Sequence, residues 1–193
     1  MVSSRRNPSS QDADLLQRAR RLEESALALI FDTYYQPLYR YIYHHLGHAP
    51  TAEDLTAEVF RRFLEALHSG HGPDDYLQAW LYRVAHNLVV DELRRRRRQE
   101  HEALKEGFPD SAATVGTQVQ QALTRQAVRQ ALQALSPQQR AVLILKYLEG
   151  MENAEIAQAL HLREGAVRAL QHRGLRALER YLKRHGLMNL EDM

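Results

Sequence analysis

The 193-residue chain contains no cysteine. That excludes disulfides, thiolate nucleophiles and cysteine-ligated zinc, and with them the redox and zinc-finger classes of function. No apolar run approaches the roughly 20 residues needed to cross a bilayer, and Met1 to Asp14 is polar, without the hydrophobic centre of a signal peptide. The sequence therefore predicts a cytoplasmic protein with no membrane insertion. Strand-like alternation is missing as well; nearly every periodic segment repeats every three to four residues. Proline is scarce, and four of the six, Pro50, Pro73, Pro109 and Pro137, fall between helical patterns. Pro8 lies in a polar leader, and Pro37 alone interrupts a pattern, where it should kink a helix or begin a new one.

The parts of a catalyst are also lacking. There is no phosphate loop, nucleophile elbow or paired-acid motif, so the chain does not read as an enzyme. Ten histidines invite a metal reading, with His44 and His48 four apart and His68 and His71 three apart. Gly47 and Gly70 interrupt both pairs and no carboxylate completes a ligand set, so no metal and no cofactor are expected.

What is present is a charge pattern hidden by a net charge of only +2. Residues 1–98 carry 14 Lys+Arg against 13 Asp+Glu, residues 99–118 carry 1 against 4, and residues 119–193 carry 11 against 7. Five arginines form one run, Arg94 to Arg98, the kind of cluster that meets phosphate or caps a solvated helix end. From Asp12 to Leu46 the residues Leu27, Ile30, Phe31, Tyr34, Leu38, Tyr41 and Ile42 make one helical stripe, which Gly47 ends. A second helix begins near Thr51 as N-cap and buries Leu55, Val59, Phe63 and Leu67. After turn residues Ser69 to Asp75, a third buries Leu77, Leu81, Val84 and Leu88. Between about Gln99 and Gln118 the apolar period is lost around Gly107, Pro109 and Gly116, which predicts a flexible acidic linker. Helical patterning resumes at Val119, and Ser136-Pro-Gln-Gln139 supplies a capping box for a helix that ends near Gly150. The expected organisation is all-α: a polar leader (1–11), a helical domain (12–98), a linker (99–118), a second helical domain (119–184) and a tail (185–193).

The sharpest local pattern lies in that second domain. Helices over Asn153–Leu160 and Glu164–Arg184, joined at His161-Leu162-Arg163, have the spacing of a helix-turn-helix, with the small Ala157 where the two touch. His161 takes the place usually given to a left-handed glycine, and Arg163 replaces the usual capping side chain. At 100° per residue Val167, Leu170, Gly174, Leu178 and Leu182 face inward, whereas Arg168, Ala169, His172, Arg173 and Arg176 face out, as a helix entering a major groove requires. In the first domain Asp54, Glu58, Arg61 and Glu65 share an outward face with Arg62 beside it, a mixture equally suited to solvent. Trp80, Arg83, Asn87, Asp91 and Arg94 fall within about 80° of one another. That set suits single-stranded nucleic acid, with bases stacking on a ring and arginines holding phosphate, or is a core tryptophan flanked by a charged helix.

Thr51-Ala-Glu-Asp-Leu-Thr-Ala-Glu-Val-Phe60, followed by Ala79-Trp-Leu-Tyr-Arg-Val-Ala-His-Asn-Leu-Val-Val-Asp-Glu-Leu-Arg-Arg95, resembles region two of the extracytoplasmic-function sigma factors. Leu135-Ser-Pro-Gln-Gln-Arg-Ala-Val-Leu-Ile-Leu-Lys-Tyr-Leu-Glu-Gly150, with Glu155-Ile-Ala and Glu164-Gly-Ala-Val-Arg168, resembles their region four. The resemblance implies a transcription initiation factor that binds core RNA polymerase, through the beta-prime clamp helices and the beta flap, and promoter DNA. It implies polymerase docking by Asp54, Glu58, Arg61 and Arg62, and minus-ten melting by Trp80, Arg83, Asn87, Asp91, Arg94 and Arg95, with a base flipped from the non-template strand. It implies minus-thirty-five binding by Arg168, Ala169, His172, Arg173 and Arg176, and an anti-sigma factor as a further partner. Ala169 and Leu170 stand where the family usually has Ser or Thr and then Arg, so a relative's promoter sequence does not transfer. The reading from another class is a helix-turn-helix regulator that ignores polymerase.

Overall fold

The computed structural model describes residues 8–106 and 130–185, and every regular element among them is helical. The stripe expected from Asp12 to Leu46 is divided into α1 (Pro8–Arg20) and α2 (Glu24–Leu46). The break falls at Leu22, whose φ of 58° is left-handed. Arg18 spans it, donating 2.8 Å bonds to the Glu23 carboxylate and the Ser25 hydroxyl. In α2, Ile30, Tyr34, Leu38, Tyr41 and Ile42 are buried and Leu27 is half-buried. Phe31 is exposed, against expectation, and its ring packs on Tyr35 and Phe60 along the flank of the bundle. Pro37 does not begin a new helix: α2 runs through it, because one lost N–H bond is outweighed by the buried side chains Tyr34 and Leu38 on either side. Gly47 ends α2 as expected, with φ 67° and its N–H on the Tyr43 carbonyl at 2.8 Å.

Helix α3 (Ala49–His68) starts before Thr51, because Pro50 fits the first turn and His48 is the cap, its Nδ1 accepting the Thr51 N–H at 3.3 Å. Val59, Phe63 and Leu67 are buried with Ala52, Thr56 and Phe60, and Leu55 is half-buried. Helix α4 (Leu77–Glu106) buries Leu77, Leu81 and Leu88, with Val84 half-buried. It continues past Gln99 into the segment expected as linker, since residues 99–106 contain strong helix formers and no glycine or proline. The rest of that segment, the helix start expected at Val119, the first residues of the leader and nearly all of the tail lie outside the described residues.

The C-terminal unit starts, as described, with a last helical turn through Gln133. Ser136 then forms the predicted capping box: its hydroxyl accepts the Gln139 N–H at 3.3 Å and its own N–H reaches Gln139 Oε1 at 3.2 Å. Helix α5 (Pro137–Leu143) widens into a π-turn over Ile144–Leu148 before Gly150. Helices α6 (Asn153–Leu160) and α7 (Glu164–Arg184) follow, joined at a left-handed His161 with φ 53° and ψ 44°. Gly174 lets α7 approach α5 closely; a Cβ there would sit 3.0 Å from Leu143 Cδ1.

The two units touch. Helix α6 packs on α4, and α5 reaches the C-terminal end of α2. Arg140 is buried at this junction with no carboxylate partner among the described residues. Its guanidinium donates to the carbonyls of Leu132 (2.8 Å) and Gln133 (2.9 Å) in its own unit and of His45 (3.1 Å) at the end of α2. These acceptors lie at the C-terminal ends of two helices, where a cation is favoured, and the Leu132 carbonyl also accepts the Leu135 N–H at 3.1 Å.

Candidate nucleic-acid interface

The loop between α3 and α4 turns sharply, with Tyr76 at φ 54°. Arg20 of α1 ties it down, donating to the Pro73 carbonyl at 2.5 Å and the Asp74 carboxylate at 2.6 Å. Loop residues 72–76, Trp80 and Arg83 line a cleft of about 570 Å³, and Gln158 of α6 closes its far side. Trp80 is half-buried: its ring meets Phe63 edge to face, centroids 5.7 Å apart, while it also lines the cleft. One part of this ring is thus in the core and another faces the cleft. Arg83 is half-buried beside it, and its Nε has no hydrogen-bond partner among the described residues.

Farther along α4, Asn87, Asp91 and Arg94 are exposed, with Asp91 and Arg94 paired at 3.7 Å. The arginine run divides by partner. Arg95 and Arg96 converge on Glu92, which is buried, at 2.8 Å each. Arg96 also donates to the Leu46 carbonyl at 3.1 Å and so caps α2. The hydrogen bonds from Arg95 and Arg96 hold the Glu92 carboxyl below its usual range against the opposing effect of burial. Arg97 and Arg98 are exposed. Sequence periodicity missed Glu92, whose partners are Arg95 and Arg96 on the same helix, and Arg96, whose further partner Leu46 lies 50 residues away in α2; the signal on α4 was an acid preceding arginines at i+3 and i+4.

On α3, Asp54, Arg61 and Arg62 are exposed and Glu58 lies between them. Arg61 grips Glu58 through Nε and a terminal nitrogen, both at 2.6 Å, and Arg62 Nε adds a bond at 2.7 Å. Arg61 reaches Glu65 as well. Hydrogen bonds from Arg61 and then Arg62 draw the Glu58 carboxyl down to about 2. So exposed a network adds little to folding and fixes a patterned charged surface.

Helix α7 buries Val167, Leu170 and Gly174. Arg168, Ala169, His172, Arg173 and Arg176 are all exposed, on the opposite side. Gln171 Nε2 donates to Asn153 Oδ1 at 2.8 Å, fixing α7 against the start of α6. Arg163 begins α7 without a side-chain cap. Leu170, in the place of the family's arginine, is turned into the core.

Residues 30–99 match the Sigma-70 region 2 family and residues 125–178 match Sigma-70, region 4. The ECF RNA polymerase sigma factor BldN of Streptomyces coelicolor is 33% identical over 176 residues, covering 90% of this chain and 67% of BldN. The ECF RNA polymerase sigma factor SigX of Bacillus subtilis is 30% identical over 172 residues, covering 83% of this chain and 85% of SigX. Among solved structures, CnrH in complex with the cytosolic domain of CnrY shares the fold, with a TM-score of 0.70 at 22% identity over 89% of this chain and 97% of that one. Two sigma regions in order, on the helices that carry the cleft and the basic recognition helix, place the chain in the extracytoplasmic-function group of RNA polymerase sigma factors, transcription initiation factors that direct polymerase to promoters.

Proposed function

We propose that the three faces divide the work of initiation. Asp54, Glu58, Arg61 and Arg62 dock α3 on core polymerase at the beta-prime clamp helices, and the C-terminal unit meets the beta flap. The cleft beside Trp80 takes a base flipped from the minus-ten non-template strand, with Arg83 at its rim. Asn87, Asp91, Arg94 and Arg95 follow the strand along α4. Flipping costs a few kcal/mol of unstacking, which a ring and polar groups at one opening offset. Arg168, Ala169, His172, Arg173 and Arg176 enter the major groove of the minus-thirty-five element. The observation that carries this reading is the N-terminal unit's side of the cleft, an aromatic ring, an arginine nitrogen lacking a partner among the described residues and a tethered loop, which stay together when α6 moves away.

The units of this proposal are a region-2-like domain over residues 12–98 and a region-4-like domain over 119–184. The chain supplies no reacting group; polymerase performs the chemistry, in the cytoplasm. An anti-sigma factor that covers both units completes the set of partners.

The closed arrangement is not the promoter-bound one. Elements about 25 base pairs apart are separated by roughly 85 Å of duplex at 3.4 Å per step. A compact chain of this length has a radius of gyration of about 16 Å. The two units must therefore part for both elements to be held.

The test is co-elution of the full chain with bacterial core RNA polymerase, beside Asp54→Ala with Glu58→Ala. Core binding that the double variant weakens supports the reading. Duplex binding without core binding would leave a helix-turn-helix regulator as the better account.

A further inference from the structure

The junction between the units holds groups that neither reading face uses. His45, near the end of α2, is 4% exposed, and neither ring nitrogen has a hydrogen-bond partner among the described residues. Its ring lies 4.7 Å from that of Tyr41 and 6.4 Å from that of His86 on α4. His86 Nδ1 shares a 2.9 Å hydrogen bond with the Tyr41 hydroxyl. From the C-terminal unit, Arg140 donates to the His45 carbonyl itself. An imidazole is thus enclosed on a residue whose carbonyl receives a guanidinium that cannot lose its charge.

We propose that this junction is a proton-operated latch: neutral His45 and His86 allow Arg140 to hold the units together, and their protonation drives the units apart. The proposal rests on the reading that the closed form must open to engage a promoter.

Among the described residues, the charged and titratable groups facing the pair are, on α2, Arg40, Tyr41 and His44, and on α4 Tyr82. From the C-terminal unit come Arg140, Glu149 and His161. Burial and then the Arg140 charge push His45 well below the usual histidine value, with His86 and His44 adding to the same effect. Burial and then His161 push His86 down to about 4. A histidine whose value is depressed in the closed form favours closure fully above its ordinary value of about 6.5, and that contribution is lost as pH falls toward the depressed value. Glu149 works in the opposite sense. It lies 3.9 Å from Arg40, and burial raises its carboxyl, so acid favours closure at that site. Between pH 7.5 and 5.5 each histidine that regains its ordinary value on opening raises the open-to-closed ratio about tenfold.

The absence of cysteine makes the test direct. Dyes attached at Glu53→Cys and Arg180→Cys, both exposed positions, report the separation of the units by energy transfer in the full chain. The same chain, undyed, gives the histidine titrations by proton NMR. On going from pH 7.5 to 5.5 the open-to-closed ratio should rise by about tenfold to a hundredfold. His45→Phe with His86→Gln should abolish most of that rise, and Glu149→Gln should enlarge it. An equal rise in the histidine double variant overturns the latch. Should that variant fail to fold, Arg140→Met decides: both histidines should titrate near 6.5 in it and well below in the parent. Ordinary titration of both in a parent whose units stay together also overturns the proposal. None of these readouts uses polymerase, so the docking assignment stands or falls separately.

Discussion

Replacing Arg140 by methionine keeps most of the buried volume and removes the guanidinium. Three of its bonds are short, to the carbonyls of Leu132, Gln133 and His45 at 2.8, 2.9 and 3.1 Å. A hydrogen bond from a charged donor contributes about 1.5–3 kcal/mol, and the stripped carbonyls regain some water on relaxation, so the loss should total about 3–5 kcal/mol. Only the bond to His45 joins the two units through a short contact. Its share, about 1.5–3 kcal/mol, should raise the open-to-closed ratio roughly tenfold to a hundredfold. Urea unfolding followed by circular dichroism measures the first quantity, and small-angle scattering shows the second as a larger radius of gyration. Arg140→Lys should behave like the methionine variant, because one ammonium cannot span carbonyls of two chain segments as a planar fork does. A loss below about 1 kcal/mol with unchanged scattering would refute the assignment of Arg140 as the junction's tie.

Three other outcomes follow from the same contacts. His161→Gly should stabilise the C-terminal unit by about 1 kcal/mol, since a left-handed residue gains by losing its Cβ, and the melting temperature should rise by a few degrees. Glu92→Gln should cost about 1–3 kcal/mol at neutral pH by weakening two arginine bonds. Because those bonds lower the Glu92 carboxyl, its contribution is present above the ordinary carboxylate range and is lost as pH falls through the lowered value, so the gap between parent and variant should close in acid. Arg20→Ala should free the loop at Asp74 and weaken opening of a minus-ten duplex, read by a fluorescent base analogue, while duplex binding at the minus-thirty-five element stays unchanged.

Local chemistry made much of this fold legible. The Ser136 capping box, the Gly47 stop, the bounds of α6 and α7 and the left-handed turn at His161 depend on residues within four positions of one another, and each stands where the sequence put it. Departures had both tertiary and local causes. Pro37, expected to kink a helix or begin a new one, begins none because packing on both sides holds the turn, whereas Thr51 lost the cap to His48 locally, since Pro50 already suits the first turn. The polar groups at the junction were out of reach. Arg140 finds a carbonyl 95 residues away and Arg96 one 50 residues away, and nothing in the periodicity of either helix marks them as inward-facing. The outward basic face of α7 was readable because exposure there follows from helical geometry alone.

Arg96 and Arg140 converge on the same end of α2, one from its own unit and one from the other. Every acceptor they use there is a main-chain carbonyl, which no change of side chain can delete. Drift in the sequence of α2 therefore leaves these acceptors in place, and changes there act on closure through side chains such as His45 instead. Residue 140 is the position where one substitution removes a tie between the two halves while the packing of α6 on α4 remains.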